Sequence, residues 1–313
     1  MRKVYLNHDG GVDDLVSLYL LLKMEDVELV GVGVIEADCY LLPAVEASKK
    51  IIHKFGSEKD KQLKVASSDS RPVNPFPKEW RMHAFTVDAL PILNEHKPIT
   101  VQDSPLKAHE DLIRALKESE EKVDLVFVGP LTDLARALDQ DPTIEEKIGK
   151  LYWMGGTFLD MGNVEDPEHD GTAEWNVYWD PFAAKRVWES GIQIELVALE
   201  STNMVPLSLD VRDRWAKERA IEGVDFLGQC YAIVPPPLTH YVTNSTYFLW
   251  DVLTTASFGK EDLVKRSVVN SDVIVAGASR GRTIKAENGR PVDLVYHVDR
   301  DAFFDYITNL AKK

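Results

Sequence analysis

Three carboxylates lie close together near the start of the chain. Asp9, Asp13 and Asp14 fall where a strand-like apolar run at residues 4–6 passes through a glycine turn into a helical pattern. In open α/β sheets, ligands bind at this edge. Carboxylates at this spacing repel one another unless a cation neutralises them, and their oxygens suit Ca²⁺ or Mg²⁺. The alternative is that Asp13 or Asp14 only caps the helix, which accounts for one aspartate of the three.

A fourth acidic residue, Asp251, is predicted to lie in a helix that is apolar on nearly every side. Its neighbours are Leu249, Trp250, Val252 and Leu253. A carboxylate buried in such a helix needs a partner, and a metal ion is the simplest one. A solvated helix position is the alternative.

The elements that would position these residues alternate between strand and helix. Strands are predicted at 4–6, 27–35, 123–128, 150–154 and 192–198, with helices at 13–24, 43–55, 131–138 and 181–189. This alternation predicts an α/β fold with a mostly parallel, Rossmann-like open sheet flanked by helices. Neither an internal repeat nor a low-complexity linker interrupts the chain, so residues 1–313 are expected to form a single domain.

Composition narrows the classes of partner. The net charge of −15 and the pI near 5.0 argue against nucleic acid and against an anionic membrane. No apolar run reaches transmembrane length, and the N-terminal residues do not resemble a signal peptide. The two cysteines, Cys39 and Cys230, show no metal-ligand spacing, so a reducing cytoplasm is the expected location.

Several short segments follow the first carboxylates in a fixed order. They are Gly129-Pro130-Leu131-Thr132-Asp133, Met154-Gly155-Gly156, and Glu174-Trp175-Asn176 with Asp180-Pro181. Together with residues 7–14 and Asp251, they resemble the inosine-uridine type nucleoside hydrolases. That family is marked by an Asp-x-Asp-Pro-Gly-x-Asp-Asp motif, a Gly-Pro-Leu-Thr-Asn-type turn, a Met-Gly-Gly strand end, a Glu-Phe-Asn segment before Asp-Pro, and a C-terminal metal-binding Asp. One such motif is weak support, whereas five in family order are specific.

The resemblance implies hydrolysis of the N-glycosidic bond of ribonucleosides to free base and ribose. It implies one Ca²⁺ held by Asp9, Asp14, Asp251 and the main-chain carbonyl of Val128. Asp9 would be the general base for a water whose pKa the metal lowers.

The same resemblance assigns the sugar hydroxyls to a set of carboxylates and amides, which can both accept hydrogen bonds from and donate them to a vicinal diol. These residues are Asp13, Asp38, Asn163, Glu174 and Asn176. The expected partner is a small-molecule nucleoside, and the expected assembly is a homo-oligomer, a dimer or tetramer.

The sequence departs from the family pattern at several positions. Asn7 stands where the motif has its first Asp, and Gly10 stands where it has Pro. Asn7 is expected to lie behind the ligands. Asp38 replaces a common Asn, and the added charge is expected to alter sugar preference or pH dependence.

The base pocket is less well marked in the sequence. His83 and His240 are candidates for contact with the base, although a lone His is more often an ordinary core or surface residue. Trp250 precedes Asp251 where many members carry a His. Because indole is no acid near neutral pH but stacks on heterocycles, Trp250 predicts a preference for purine ribosides over uridine.

Two other classes of protein share some of these features. A haloacid-dehalogenase-like phosphatase also begins with a strand and an Asp-x-Asp motif around Mg²⁺, but its nucleophilic Asp would stand where this chain has Asn7. A nucleoside- or ribose-binding protein that keeps the metal site and has lost turnover is the other alternative. Release of free ribose from a panel of nucleosides separates these hypotheses.

Overall fold

A computed structural model describes residues 1–76, 84–95, 98–233 and 247–313. Ten strands of these residues form one sheet, in the order β4-β3-β2-β1-β5-β6-β7-β10-β8-β9. In chain order the strands are β1 (Arg2–His8), β2 (Val27–Val34), β3 (Lys64–Ser67), β4 (Gln102–Asp103), β5 (Val123–Phe127), β6 (Ile148–Met154), β7 (Ile194–Val197), β8 (Val264–Val273), β9 (Thr283–Lys285) and β10 (Arg290–Val298).

The helices that connect and cover these strands also follow the chain. They are α1 (Val12–Lys23), α2 (Leu41–Phe55), α3 (Ala108–Glu118), α4 (Thr132–Gln140), α5 (Trp175–Trp179), α6 (Pro181–Trp188), α7 (Leu199–Thr202), α8 (Leu209–Glu218), α9 (Glu222–Ala232), α10 (Trp250–Gly259) and α11 (Arg300–Ala311). None of those helices combines the length and the apolar content that crossing a membrane requires.

The predicted mostly parallel sheet is confirmed. Every neighbouring pair from β4 to β10 is parallel, whereas β8 is antiparallel to β10 and β9 is antiparallel to β8. The sequence analysis did not predict β8. Its residues are exposed or half-buried over most of the strand, so it lacks the continuous apolar run of a strand buried on both faces.

Apolar side chains pack on both faces of the sheet. Since side chains alternate along a strand, Val4 and Leu6 of β1 join one core with α1, α2, α10 and α11. Tyr5 between them joins the other core, with α3, α4 and α6. Burial on both faces accounts for the valine-rich sequence of β2.

The connections reverse direction at β1. From β1 the chain proceeds outward through β2 to β3 and β4, and it then returns to place β5 on the other side of β1. In an open α/β sheet, such a reversal opens a crevice at the carboxyl ends of the two strands. The fold therefore places a crevice where β1 leads to Asp9 and where β5 leads to Val128.

Candidate functional site

Asp9, Asp13 and Asp14 lie at the crevice, where β1 ends and α1 begins. Helix α1 begins at Val12, with Gly11 at its N-cap position and no side-chain capping hydrogen bond. Asp14 Oδ1 instead accepts a hydrogen bond from the backbone N–H of Asp9 at 3.1 Å. The alternative that Asp13 or Asp14 only caps the helix is therefore wrong.

Asp251, 238 positions after Asp13 in the chain, lies beside the same aspartates. It lies in the first turn of α10, is 6% exposed, and donates its backbone N–H to Asp13 Oδ2 at 3.4 Å. Carboxylate oxygens of Asp13, Asp14 and Asp251 lie within 4.8 Å of one another. Asp9 is 2% exposed and joins them through Asp14. These four aspartates are called the carboxylate cluster below.

A glycine allows the carboxylates to approach so closely. A Cβ atom at Gly11 would lie 2.7 Å from Asp38 Oδ2 and 2.8 Å from Asp14 Oδ2. Asp38 is half-buried, and its backbone N–H donates to Asp9 Oδ2 at 3.1 Å. The structure therefore brings Asp38 to the carboxylate cluster.

The electrostatics of the carboxylate cluster favour a bound cation. Burial raises the pKa of the Asp9, Asp14 and Asp251 carboxyls well above the usual value, and neighbouring carboxylates raise it further. Burial also raises the pKa of Asp13 to about 6.

Within the described residues, no Lys or Arg pairs with these carboxylates, and the nearest basic group is His8, whose Nδ1 lies 3.9 Å from Asp14 Oδ1. The N-termini of α1 and α10 offset only part of the negative charge. A set of buried carboxylate oxygens without a cation of its own fits Ca²⁺.

Val128 lies directly after β5, beside the end of β1. Its backbone N–H donates to the carbonyl of Asn7 at 3.0 Å, and its own carbonyl accepts from Asn176 Nδ2 at 3.4 Å. Hydrogen bonds therefore hold both the N–H and the carbonyl of Val128, the carbonyl that the resemblance implies as a metal ligand. Of the predicted ligands, Asp14 and Asp251 share the tight group of oxygens with Asp13, whereas Asp9 lies outside that group.

Asn176 presents an unused acceptor inside the protein. Its Nδ2 donates to the Met154 carbonyl at 3.0 Å as well as to Val128, and its Oδ1 is buried with no partner among the described residues. A buried amide oxygen without a donor is costly. A sugar hydroxyl is a donor of the kind that would satisfy it.

Glu174 and Asn163 support the start of α5. Glu174 Oε1 accepts the Asn176 N–H at 2.9 Å, and Oε2 accepts the N–H of Gly156 at 2.8 Å and that of Val177 at 3.3 Å. Burial nevertheless raises the pKa of Glu174 to about 7. Asn163 Oδ1 accepts the Trp175 N–H at 3.1 Å. Both predicted ribose residues therefore lie beside Asn176 and also hold the backbone around it.

The predicted base pocket is only partly described. His83 and His240 lie outside the described residues. Trp250 is half-buried, with its ring 4.8 Å from that of Tyr247 in an edge-on arrangement and 5.6 Å from that of Phe248. The Trp250 ring therefore packs on neighbouring aromatic rings beside the carboxylate cluster.

Sequence reasoning missed Tyr247. Its hydroxyl donates to Asp13 Oδ1 at 3.0 Å, so it orients a carboxylate that was predicted to bind ribose. The sequence offered only a weak signal, an aromatic residue four positions before Asp251.

Asn7 has a specific partner. Its side chain is fully buried outside the carboxylate cluster, where its Nδ2 donates to Asp133 Oδ2 at 3.3 Å. The motifs place Asp at the position of Asn7 and Asn at the position of Asp133. Relative to those motifs, this chain has exchanged the carboxylate and the amide.

Comparisons with known proteins agree with the fold and the motifs. A crystal structure from Bacillus anthracis, described as an inosine-uridine preferring nucleoside hydrolase, is 60% identical and superposes with a TM-score of 0.94. The alignment covers 100% of this chain and 99% of that one.

Two curated relatives are more distant. A probable uridine nucleosidase 2 from Oryza sativa subsp. japonica is 27% identical over 204 residues, 65% of this chain and 58% of that protein. The pyrimidine-specific ribonucleoside hydrolase RihB from Escherichia coli (strain SE11) is 27% identical over 214 residues, 67% of this chain and 63% of that protein. The chain thus matches less than two thirds of the length of these relatives.

The family described as inosine-uridine preferring nucleoside hydrolase matches residues 4–305, nearly the whole chain. This match covers most of β1, the whole of α10 and every motif identified above, from Asn7 to Asp251. The chain belongs to the inosine-uridine preferring nucleoside hydrolase family.

Proposed function

We propose that this protein hydrolyses the N-glycosidic bond of ribonucleosides to free base and ribose, in a Ca²⁺-dependent reaction. The observation that carries the proposal is the convergence of four buried aspartates, from β1, α1 and α10, at the crevice beside β5. Family membership supports the same reaction.

The proposed metal ligands are Asp9, Asp14, Asp251 and the carbonyl oxygen of Val128. Three of them supply carboxylate oxygens and the fourth a main-chain oxygen, the donors that Ca²⁺ prefers. When bound, Ca²⁺ would supply a Lewis acid that lowers the pKa of water and polarises sugar oxygens.

Asp13 is the alternative to Asp9 in this ligand set, because its carboxylate is the one grouped with those of Asp14 and Asp251. Asp9→Asn and Asp13→Asn separate the two assignments. The substitution that removes a ligand should abolish the rise in melting temperature on adding Ca²⁺, and the other should only weaken it.

Asp9 is the proposed general base. Its Oδ2 accepts the backbone N–H of Asp38, which fixes the plane of the carboxylate. Asp9 would take a proton from the attacking water at a carboxylate oxygen. The remaining carboxylates would favour the positive charge that develops on the sugar ring as the bond to the base breaks. The base would leave with the bonding electrons and take a proton from solvent.

Asn176 is the residue best prepared to bind ribose, since no donor from the described residues reaches its Oδ1. Asp13, held by the Tyr247 hydroxyl, would accept a second sugar hydroxyl. Asp38, Asn163 and Glu174 complete the proposed set. A site built to hydrogen-bond hydroxyls should reject 2′- and 3′-deoxynucleosides strongly.

The choice of base is a separate part of the proposal. The rice and E. coli relatives are named for uridine and for pyrimidines, and the B. anthracis protein for inosine and uridine. Inosine and uridine are therefore the first two substrates to compare. The purine preference predicted from Trp250, a cytoplasmic location and a homo-oligomer remain predictions.

The decisive experiment measures free ribose from inosine, adenosine, uridine and cytidine, with Ca²⁺ and after chelation. Release that depends on Ca²⁺ and is absent with deoxynucleosides supports the proposal. A Ca²⁺-dependent rise in melting temperature without any ribose release would instead indicate a nucleoside-binding protein that has lost turnover.

A further inference from the structure

We propose that Asn7 and Asp133 form a positioning pair, which fixes the distance between Asp9, directly after β1, and the carbonyl of Val128, directly after β5. Neither residue lies in the carboxylate cluster, and the pair acts only through the backbone segments that it joins. The expected effects on Ca²⁺ binding and activity rest on the proposed function, whereas the pair itself rests on the structure alone.

The pair is fully buried and closely surrounded. Asn7 and Asp133 are both 0% exposed, and their side chains meet at 3.3 Å. Ser68, directly after β3, donates its hydroxyl to the other oxygen of Asp133 at 2.8 Å. A Cβ atom at Gly33 of β2 would lie 2.7 Å from Asn7 Nδ2. Asp133 thus ties the ends of β1 and β3 to the first turn of α4.

The same segments are also joined through the backbone. Asn7 pairs with Phe127 in the parallel register of β1 and β5, and the Asn7 carbonyl accepts the Val128 N–H at 3.0 Å. Asp9 follows Asn7 by two residues, and Asp133 follows Val128 by five. A change in the side-chain pair would therefore shift Asp9 and Val128 relative to each other.

The pair needs a donor that faces an acceptor, which one amide and one carboxylate supply. Asn7 supplies the N–H donor, and Asp133 accepts from it and from Ser68. Asn7→Asp would place two buried carboxylates in contact, which is strongly unfavourable. Asp133→Asn would leave two amides, of which one can still donate and one accept. With both substitutions, Asn at 133 would donate to Asp at 7 while its oxygen accepts from Ser68.

Charged neighbours do not alter this expectation. Arg136 lies 3.8 Å from Asp133 Oδ1 and pairs more closely with Asp69, at 2.6 Å. Arg136 thus keeps Asp69 as a carboxylate partner in every variant.

The test is a double-mutant cycle of the parent, Asn7→Asp, Asp133→Asn and the double variant. The readouts are melting temperature in chelator, the Ca²⁺ concentration that gives half of the Ca²⁺-induced rise, and kcat and KM with a ribonucleoside. Asp139→Asn on the same helix and Asn309→Asp on α11 are matched controls, because both positions are exposed.

We expect Asn7→Asp to lower the melting temperature by about 5 to 10 °C, and Asp133→Asn by less. The double variant should lie within about 2 °C of the parent, well above the sum of the single effects. Asn7→Asp should also raise the half-saturating Ca²⁺ concentration by roughly tenfold or more, and the second substitution should reverse that change. If Asn7→Asp alone does not fold, a folded double variant is the same rescue.

Additive losses of melting temperature in the double variant would overturn the pair while leaving the proposed function intact. A coupled melting temperature with an unchanged Ca²⁺ dependence in every variant would overturn the positioning role. A parent protein with no Ca²⁺ response and no ribose release would contradict the proposed function, and the chelated melting cycle would still report whether the pair exists.

Discussion

Two regions of the molecule bury carboxylates, and they differ in the basic groups that lie beside them. In β7, Glu195 is fully buried, and its Oε2 accepts from Lys150 at 2.8 Å and from Arg266 at 2.8 Å. At the crevice, the carboxylate cluster gathers four buried aspartates, none of which pairs with a Lys or Arg of the described residues.

The difference separates a structural ion pair from a binding site. The chain supplies its own cations to Glu195, so that region is complete when the protein folds. Among the described residues, the carboxylate cluster has no such cations, so its negative charges are unfavourable unless a cation binds. The same type of side chain therefore stabilises one region and, without a ligand, destabilises the other.

The largest expected effect is on turnover in the carboxylate cluster. Asp9→Asn keeps the shape of the side chain but removes the proposed base, so kcat should fall by about 10² to 10⁴. The measurement is the initial rate of ribose release at saturating nucleoside. Asp139→Asn, an exposed Asp-to-Asn change, should keep the parent rate. An Asp9→Asn protein with a near-parent kcat would show that another group is the base.

The second prediction concerns the buried ion pairs of Glu195. Glu195→Gln leaves Lys150 and Arg266 without their shared partner, so the free energy of unfolding should fall by about 2 to 4 kcal/mol. Urea unfolding with and without Ca²⁺ measures this change. The Ca²⁺ concentration for half-maximal stabilisation should equal that of the parent. A Glu195→Gln protein as stable as the parent would remove the contrast between the two regions.

In the third prediction, removing a carboxylate should raise the free energy of unfolding, the opposite of the effect of Glu195→Gln. In chelator, Asp14→Asn removes one of several repelling charges, so the free energy of unfolding should rise by about 1 kcal/mol. With Ca²⁺ at a hundredfold excess over its dissociation constant, the parent should gain about 2.7 kcal/mol, and the variant should gain little of it. A lower stability of the chelated variant would mean that the carboxylates do not repel one another as described.

The chemistry at the end of β1 could be predicted because it is local. A strand, a glycine turn and a helix start place Asp9, Asp13 and Asp14 together in any α/β fold. Asp251 could be predicted because a carboxylate in an apolar helix needs a partner. Both arguments depend on residues that are neighbours in sequence.

The contacts that support these ligands could not be predicted in the same way. Tyr247 meets Asp13 across 234 positions, and Asn7 meets Asp133 across 126. Both contacts depend on which strands and helices become neighbours, and the strand order is not encoded in local periodicity. The family motifs located the ends of β1 and β5 but did not show that their side chains touch.

The fourth prediction tests one of those distant contacts. Tyr247→Phe keeps the ring but removes the hydroxyl that orients Asp13. A hydrogen bond to a charged group is worth about 1.5 kcal/mol or more, so KM for a ribonucleoside should rise roughly tenfold while kcat changes less. The exposed Tyr296→Phe is the control. If kcat falls and KM is unchanged, the hydroxyl serves the transition state and not the binding of ribose.

The smallest expected effect concerns the base. If the exposed part of the Trp250 ring stacks on the base, the parent should prefer inosine to uridine, because a two-ring base offers more area to indole. Trp250→Ala should then reduce the ratio of kcat/KM for inosine to that for uridine, by roughly fivefold for a stacking contact of about 1 kcal/mol.

The contact with Tyr247 gives the Trp250 ring a second role, since losing that contact would release the Tyr247 hydroxyl that holds Asp13. If Trp250 acts only through Tyr247, Trp250→Ala should lower kcat/KM equally for inosine and uridine, by the same factor as Tyr247→Phe. Trp250→Phe keeps an aromatic ring against Tyr247, so it should keep Asp13 in place whichever role Trp250 has. A parent that prefers uridine, or a Trp250→Ala protein with an unchanged inosine-to-uridine ratio, would assign the choice of base to other residues and leave Trp250 as a support for Tyr247.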